Sequence, residues 1–327
     1  MEGHSVGVDI GGTNTVIGLF DGNFALVGKS VIATEPHRGP GRTSNPASYL
    51  DALAREIGLL VEREGGGRHP VRVGIGVPGM VDPLAGVVLG ASNLAWSQVP
   101  LAAELEARLG IRVTIDNDVR MYTLGECMAG AARGRRHVLC VTLGTGIAMG
   151  MMSDGRLIRG GSWYAGEIGH DPVDGESSRC PCGKTGCLET VASATGIARL
   201  ASEAIRRGTD TRLRELGRPV NAYDVYEAAA AGDREAAAIF RFAGEVLGGK
   251  LATAVSLLDP EMLVIGGGVA AAGDYLLEPL RRTLSLRYGR KPGPVVTTGT
   301  LGDTAGLIGA VHYALARESE DRKDEAR

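Results

Sequence analysis

The sequence predicts a two-lobed α/β protein, and two observations support this prediction. Apolar strand patterns alternate with helical patterns along the chain, as they do in proteins built on largely parallel sheets. A strand–turn–strand pattern also occurs twice, because Gly11 is matched by Gly144 and the Asp21-Gly22 turn by Asp154-Gly155, 133 residues later in both cases. Two copies of one hairpin predict two similar lobes around a central cleft.

We expect the boundary between the lobes after residue 134. The N-terminal lobe would comprise residues 1–134 and the C-terminal lobe residues 135–327, which include a metal-binding loop at 167–189. The final helix, residues 303–317, is a candidate to pack back onto the first lobe. A chain of 327 residues has room for two such lobes.

Composition narrows the class of protein. Hydrophobic residues make up 44% and charged residues 22%, which is ordinary for a globular protein. The net charge of -3 gives no electrostatic reason to expect binding to nucleic acid or to an anionic membrane. The longest apolar run, Val138–Met152, is too short and too broken to span a bilayer. Cysteines grouped as for a metal rather than as a disulfide framework favour a cytoplasmic location.

Hydrophobic periodicity predicts the elements in order. Strands are expected over Val6–Ile10, Thr15–Phe20, Val71–Val77, Ile111–Ile115 and Leu263–Ile265. Helices are expected over Tyr49–Glu64, Pro100–Leu109, from Asp116 to Arg133, and over Ser193–Arg207, Ala222–Ala231, Asp233–Leu258 and Asp303–Ala316. Residues 36–46 are rich in proline and glycine and predict a loop, and the charged tail from Glu318 predicts a frayed end.

The repeated turns are candidate phosphate sites. Backbone N–H groups at glycine-containing turns form anion-binding nests, and a threonine hydroxyl adds a donor. Two nests that face each other would hold a polyphosphate from both sides; the alternative is that each is only a tight hairpin. The residues concerned are Gly11, Gly12, Thr13 and Asn14 in the first copy and Gly144, Thr145 and Gly146 in the second.

The triplet Asp116-Asn117-Asp118 follows a predicted strand and opens a predicted helix. Ligands and catalytic groups of open α/β sheets gather at this end of the strands, and a helix N-terminus keeps a carboxylate ionised. This suits a proton acceptor beside a substrate hydroxyl. Helix capping explains the same residue types equally well, so spacing alone leaves both interpretations open.

Four residues have the spacing and chemistry of a closed tetrahedral zinc site: His170, Cys180, Cys182 and Cys187. Gly183 and Gly186 would let the backbone fold back so that the thiolates converge. Because all four positions are filled, the metal is expected to be structural rather than catalytic.

Gly266-Gly267-Gly268 ends another predicted strand, where glycine permits either close approach to a flat ligand or a flexible turn. The chain contains no Walker A motif and no GxGxxG motif.

Together these motifs resemble the ROK family (repressor, open reading frame, kinase). The residues that carry the resemblance include Asp9-x-Gly11-Gly12-Thr13, Gly166-Glu167-x-Gly169-His170, the Cys180–Glu189 stretch, Gly76-Val77-Pro78-Gly79 and Asn93-Leu94. The zinc signature is specific to the family, whereas Asp-x-Gly-Gly-Thr is shared among actin-like ATPases. The resemblance extends from about Val6 to Ala314.

The resemblance implies an actin-like (ribonuclease H-like) ATPase fold and a sugar kinase most similar to bacterial glucokinases. Such an enzyme transfers the γ-phosphoryl group of Mg-ATP to the 6-hydroxyl of a hexose, and Asp118 would be the general base. Sugar contacts are implied for Gly79, Asn93, Asn117, Asp118, Glu167, His170 and Glu189. Nucleotide contacts are implied for Asp9 (near Mg²⁺), for both Gly/Thr turns including Asn14 and Gly144, and for Gly266, Gly267 and Gly268 near adenosine.

One departure affects substrate specificity. Ser162-Trp163-Tyr164 precede Ala165, where the family commonly has small residues, so glucose is the first expectation and N-acetylmannosamine, N-acetylglucosamine or another hexose the alternative. ATP, other nucleotides and polyphosphate remain alternative donors, and the resemblance implies a dimer or tetramer. There are two other interpretations. A repressor is one, and a first strand that begins at Val6 argues against it. A sugar sensor without catalysis is the other, and the presence of Asp118 and of both turns argues against it.

Overall fold

The computed structural model describes residues 3–34, 45–289 and 292–325, with side chains as far as residue 320. The predicted loop at 36–46 lies almost entirely outside these ranges, although Pro46 is described as the first residue of a helix. None of the helices in the described ranges combines the length and apolar character needed to cross a bilayer.

The chain folds into α-helices and β-strands in the following order. Up to residue 128 these are β1 (His4–Ile10), β2 (Asn14–Phe20), β3 (Leu26–Ala33), α1 (Pro46–Glu64), β4 (Pro70–Val77), β5 (Met80–Asp82), β6 (Val87–Ala91), β7 (Trp96–Val99), α2 (Leu101–Leu109), β8 (Arg112–Asn117) and α3 (Asp118–Met128). After residue 128 they are β9 (Val138–Leu143), β10 (Ile147–Ser153), β11 (Arg156–Leu157), α4 (Glu189–Ala192), α5 (Ala194–Arg206), α6 (Ala222–Ala230), α7 (Arg234–Leu258), β12 (Met262–Gly266), α8 (Asp274–Tyr288), β13 (Val295–Thr298) and α9 (Ala305–Glu325).

The two large sheets have the same topology. The first has the strand order β3-β2-β1-β4-β8 and the second the order β11-β10-β9-β12-β13. In both, three antiparallel strands are followed by two parallel ones. A third, small antiparallel sheet contains β5, β6 and β7. The duplication seen in the sequence is therefore a duplication of whole sheets.

The repeated hairpins differ at their turns by one residue. Ile10 pairs with Thr15 in the first hairpin, which leaves four residues in the turn, whereas Leu143 pairs with Ile147 in the second and leaves three. The strand positions keep the offset of 133 residues, but the second hairpin pairs one residue out of register with the first. The second turn is consequently tighter.

The chain divides into two compact units. The first contains Met1–Gly134, Arg159–Tyr164 and Thr300–Arg327, and the second contains Arg135–Ile158 and Ala165–Gly299. Each unit holds one of the two large sheets. The segment Arg159–Tyr164 is thus part of the first unit although the chain on both sides of it belongs to the second.

In the first unit, α9 packs so closely on the first sheet that backbone meets backbone. A Cβ atom at Gly7 would overlap the carbonyl oxygen of Leu307, and one at Gly74 would overlap that of Ala310. Glycine in the neighbouring strands β1 and β4 therefore gives the helix room to approach the sheet.

In the second unit, α7 and α8 pack together with similarly little space between them. A Cβ atom at Gly248 would lie 2.5 Å from the carbonyl oxygen of Leu280. Fully buried aliphatic side chains, among them Leu247 and Leu276, join these helices to the strands in one apolar core. This core joins the second sheet to helices α5–α8.

Two predicted helix ends are wrong. The helix that opens after Asn117 ends at Met128 rather than Arg133, because the buried carboxylate of Glu126 accepts hydrogen bonds from the backbone N–H groups of Ala131, Thr300 and Leu301 and folds the chain away from the helix axis. The final helix does not end at Ala316 but continues to Glu325, and an ion pair between Glu318 and Arg72 at 2.8 Å supports its added turns.

Candidate functional site

The first Gly/Thr turn joins β1 to β2. The N–H of Gly11 donates to the carbonyl oxygen of Asn14 at 2.9 Å, and the N–H of Thr34 donates to that of Thr13 at 2.7 Å. A Cβ atom at Gly11 would lie 2.6 Å from the Asn14 oxygen, so the turn requires glycine there. The side chains of Thr13 and Asn14 are exposed. The turn is closed by backbone hydrogen bonds and presents its polar side chains to solvent.

Asp9 lies just before this turn in β1 and has a perturbed pKa. Burial raises the pKa of the Asp9 carboxyl to about 7, and the negative charges of Asp118 and Asp303 act in the same direction. Asp118 and Asp303 therefore lie near enough to Asp9 in the first unit for their negative charges to act on its carboxyl group. Asp303 was missed as a site residue, because its sequence position suggested only a helix cap.

The three residues of the triplet at the end of β8 lie in three different environments. Asp116 is fully buried and pairs with two arginines, Arg120 and Arg159. Asn117 caps α3, since its Oδ1 atom accepts from two backbone N–H groups of the first turn. Asp118 is the first residue of the helix, only partly buried, and its Oδ1 atom accepts its neighbour's N–H at 2.9 Å. Capping is done by Asn117, which leaves both aspartates to be explained.

Gly79 and Asn93 are the other predicted sugar residues of the first unit. Gly79 has a φ of 93°, and a Cβ atom there would overlap the carbonyl oxygen of Gly90. Its own carbonyl oxygen accepts from Nδ2 of Asn117 at 3.1 Å. Asn93 is exposed in a short 3-10 turn, Ser92–Leu94. Gly79 is thus tied directly to the start of α3.

The second Gly/Thr turn joins β9 to β10 and is held by the start of α5. The N–H of Ala194 donates to the carbonyl oxygen of Gly144 at 2.8 Å, and Oγ1 of Thr195 donates to that of Thr145 at 2.8 Å. Thr195 therefore positions this turn, and nothing in its sequence context indicated that role. The side chain of Thr145 is exposed.

A carboxylate from the cysteine-rich region lies beside this turn. A Cβ atom at Gly146 would lie 2.9 Å from Oε2 of Glu189. The other carboxylate oxygen, Oε1, lies 2.7 Å from Sγ of Cys180. Glu189 thus connects the cysteine cluster to the second Gly/Thr turn.

In the glycine triplet after β12, the central residue packs against the backbone of another part of the chain. Gly267 has a φ of 80°, and a Cβ atom there would overlap the backbone of Leu143. Gly268, by contrast, would have open space around a Cβ atom. The close approach at Gly267 is to another part of the chain, Gly268 is accessible, and the expected approach of a flat ligand stays a prediction.

The predicted metal ligands converge in the second unit. One ligand atom from each of His170, Cys180, Cys182 and Cys187 can be chosen so that all four lie within 4.8 Å of one another. Sγ of Cys182 is 3.7 Å from Sγ of Cys187, and Sγ of Cys180 is 3.7 Å from Nδ1 of His170. Tetrahedral ligands bound to zinc at its usual distances lie about 3.5–3.8 Å apart, so these residues fit zinc.

Local backbone geometry explains why the cysteines converge. Gly183 has a φ of 92°, and its N–H donates to the carbonyl oxygen of Cys180 at 3.0 Å. An isolated bridge between Arg179 and Thr185 and a second between Pro172 and Cys187 fold the loop back on itself. The positive φ at Gly183 is therefore the turn that the sequence predicted.

His170 faces different groups through its two ring nitrogens. Nδ1 lies on the side of Cys180, whereas Nε2 is 3.7 Å from Oε2 of Glu167. Glu167 and His170 both follow Gly166. The carbonyl oxygen of Gly166 accepts the N–H of Met149 at 2.9 Å and so holds the Gly166–His170 stretch against β10. Glu167, His170 and Glu189 thus all lie next to the cysteine cluster in the second unit.

Comparisons with known proteins identify the family of this chain. Residues 5–317 match the model of the ROK family. This chain belongs to the ROK family. Among curated ROK relatives, the glucokinase of Halalkalibacterium halodurans is 36% identical over 329 residues, which cover 97% of this chain and 97% of the relative. The Escherichia coli regulator NagC is 28% identical, and the match covers 97% of this chain and 76% of NagC.

The fold comparison confirms the predicted actin-like class. A ROK family glucokinase from Streptomyces griseus, solved in complex with glucose and AMPPNP, matches with a TM-score of 0.79 and 31% identity. The match covers 96% of this ROK chain and 100% of the Streptomyces protein. The predicted family and fold are therefore both confirmed.

Proposed function

We propose that this ROK protein is an ATP-dependent hexokinase that transfers the γ-phosphoryl group of ATP to the 6-hydroxyl of a hexose, with glucose as the first candidate. The relatives described above include a glucokinase of similar length and a glucokinase that binds glucose and an ATP analogue. The proposal extends those activities to this chain.

One observation in the structure supports the chemistry most directly. Asp118 influences the pKa of Asp9, and Asp9 directly precedes the Gly11–Asn14 turn. A candidate base and the residue before a candidate phosphate-binding turn therefore lie within range of each other's charge in one unit. Phosphoryl transfer depends mainly on positioning and on neutralising charge, so this proximity is the feature the reaction needs.

Each residue has a proposed task. Asp118 accepts the proton of the attacking sugar hydroxyl, a role that typically contributes about 10²–10⁴-fold to the rate. The N–H groups and hydroxyls of the two turns hold the phosphates of ATP, with Asn14 and Gly144 at their edges. Gly266, Gly267 and Gly268 are assigned to the adenosine, and Gly268 has open space where a Cβ atom would lie.

The sugar is proposed to be held by amides and carboxylates. A hexose presents a ring of hydroxyl groups, which act as donors to carboxylates and as both donors and acceptors to amides. The proposed contacts are Gly79, Asn93, Asn117, Asp118, Glu167, His170 and Glu189. For His170 the contact would use Nε2, since Nδ1 is directed towards the cysteines.

Two metals are proposed. Zinc would be held by His170, Cys180, Cys182 and Cys187, and its contribution is structural because four protein ligands fill its coordination sphere. Magnesium would accompany ATP near Asp9, where clustered carboxylates supply the oxygen ligands that this cation prefers. When bound, magnesium neutralises charge on the phosphates. Cytoplasmic location and a homodimer or homotetramer remain predictions.

A sugar panel assayed by ADP release tests the proposal. Purified protein is incubated with glucose, mannose, N-acetylmannosamine and N-acetylglucosamine, with ATP or polyphosphate as donor. The polyphosphate reactions are followed by the sugar phosphate formed. We expect sugar-dependent phosphoryl transfer from ATP, fastest with glucose. Sugar binding by calorimetry without turnover would indicate a sensor, and failure with every hexose would exclude the kinase.

A further inference from the structure

The segment Arg159–Tyr164 is tied to the first unit by a buried cluster of charges. It runs between β11 and the Gly166–His170 stretch and contains the unusual Ser162-Trp163-Tyr164. The carboxylate of Asp116, in β8, is completely buried, and its Oδ2 atom accepts from Nε of Arg159 at 2.7 Å. The guanidinium of Arg159 also lies over the ring of Tyr313, 5.2 Å from its centre. Asp116 thus holds the start of this segment.

Arg120 holds the end of the same segment. Its Nη2 atom donates to the carbonyl oxygen of Trp163 at 3.0 Å, and its Nη1 atom lies 3.0 Å from Oδ1 of Asp116. Trp163 has a φ of 63°, a left-handed conformation that a bulky residue rarely adopts. Such a conformation persists only where surrounding contacts fix it, and the Arg120 hydrogen bond is one of these contacts.

The cluster also reaches the proposed base. Oδ1 of Asp116 accepts the backbone N–H of Asn117 at 2.7 Å, directly before Asp118. Burial lowers the pKa of Arg120, while the charges of Asp116 and Asp118 oppose that shift. One buried carboxylate therefore contacts the backbone that presents Asp118 and the arginines that hold Arg159–Tyr164.

Stability alone is a poor explanation for this arrangement. Replacing a buried ion pair by apolar residues of similar volume is often neutral or stabilising, because desolvating the charges is costly. The directional contacts that Asp116 and its arginines make, to Arg159 and to the Trp163 carbonyl, instead fix the position of a backbone segment. That segment ends three residues before Glu167.

We propose that Asp116, through Arg120 and Arg159, is a positioning residue that fixes Arg159–Tyr164 beside the start of α3 and thereby sets the affinity for the sugar. This inference rests on the proposed hexokinase activity. Sugar affinity depends on the segment because a displacement of Trp163 is carried along the chain to Glu167. Affinity for ATP is independent of it, since the phosphate turns belong to other loops.

Arg159 is the residue to change, because its side chain is 24% exposed. When the Arg159 guanidinium is removed, Asp116 still has Arg120 as a partner. Arg159→Gln is expected to raise KM for the preferred hexose about tenfold, the equivalent of one charge-assisted hydrogen bond. KM for ATP should remain close to that of the wild type, whereas the melting temperature should fall, because removing one partner of a buried ion pair leaves the charge of Asp116 less well compensated. Arg159→Lys, which keeps the charge, should restore part of the sugar affinity.

Arg136→Gln is the matched control, because it removes an exposed Arg–Asp ion pair, to Asp154, from the turn between β10 and β11. It should change neither KM. If Arg159→Gln keeps the wild-type sugar KM, or if the KM values for the sugar and for ATP rise equally, the positioning role is excluded. A wild-type protein that phosphorylates no hexose would instead contradict the proposed function itself.

Discussion

The Nε2 atom of His170 lies 3.7 Å from a carboxylate oxygen of Glu167, while its Nδ1 atom is directed towards Cys180. A metal-binding histidine commonly uses its second nitrogen to contact a carboxylate, which fixes the orientation of the ring. Here the carboxylate is itself a proposed sugar ligand. The cysteine cluster and the sugar contacts are therefore linked through one imidazole.

Cys182→Ala should release zinc and weaken sugar binding together. The side chain of Cys182 is exposed, so its truncation removes a metal ligand with little loss of packing. We expect zinc content to fall towards zero and the Kd for glucose to rise at least about tenfold, because Glu167 and Glu189 lose their support. Zinc is measured by elemental analysis and Kd by calorimetry.

Cys127→Ala is the control for that variant, since Cys127 lies in α3, outside the cluster. It should retain zinc and sugar affinity. If Cys182→Ala loses zinc but binds glucose as the wild type does, the loop does not depend on the metal for its shape.

The glycines after β12 offer a matched pair. Gly267→Ala places a Cβ atom against the backbone of Leu143 at a φ of 80°, so we expect it to destabilise the protein by about 1–3 kcal/mol. Gly268→Ala meets open space and should leave the melting temperature unchanged while raising KM for ATP. Equal melting temperatures for the two variants would refute the packing role of Gly267. An unchanged KM for ATP in Gly268→Ala would remove Gly268 from the nucleotide site.

Asp9 should make the ligand-free protein less stable as pH rises. Burial raises the pKa of Asp9 to about 7 in the folded chain, whereas an unfolded aspartate has a pKa of 3.8. Between these values the unfolded chain releases a proton that the folded chain retains, so the free energy of unfolding falls as pH rises through this window. Asp9→Asn removes the effect and should stabilise the protein at pH 8 by up to about 4 kcal/mol.

Denaturant unfolding at pH 5 and pH 8, without nucleotide or metal, measures this difference. The gain from Asp9→Asn should be smaller at pH 5. Asp21→Asn is the control, because backbone hydrogen bonds lower the pKa of this exposed aspartate and no gain is expected at pH 8. An Asp9→Asn variant no more stable than the wild type at pH 8 would show that Asp9 is not held in its protonated form.

The parts of the fold that depend on local sequence were predictable. The alternation of strands and the Gly/Thr turns revealed the repeated hairpin, and the histidine and cysteine spacing revealed the metal cluster. The difference of one residue between the two turns was not predictable, because it depends on which carbonyl closes each turn: that of Asn14 in the first and that of Gly146 in the second.

Features that depend on distant partners could not be predicted. The end of α3 depends on Glu126 and on N–H groups of residues 300 and 301, which are more than 170 positions away. The choice between capping and catalysis for the Asp116 triplet likewise stayed open, because one of the two partners of Asp116, Arg159, is 43 residues further along. The side-chain pattern of a single helix start contains no information about such contacts.

The role of Asp118 as the base is tested by Asp118→Asn, with kcat for glucose phosphorylation measured together with the Kd for glucose. The substitution keeps the size and the first-turn position of the side chain but removes its ability to accept a proton. We expect kcat to fall about 10²–10⁴-fold while the Kd is little changed. A variant that turns over as fast as the wild type would contradict the assignment of Asp118 as the base.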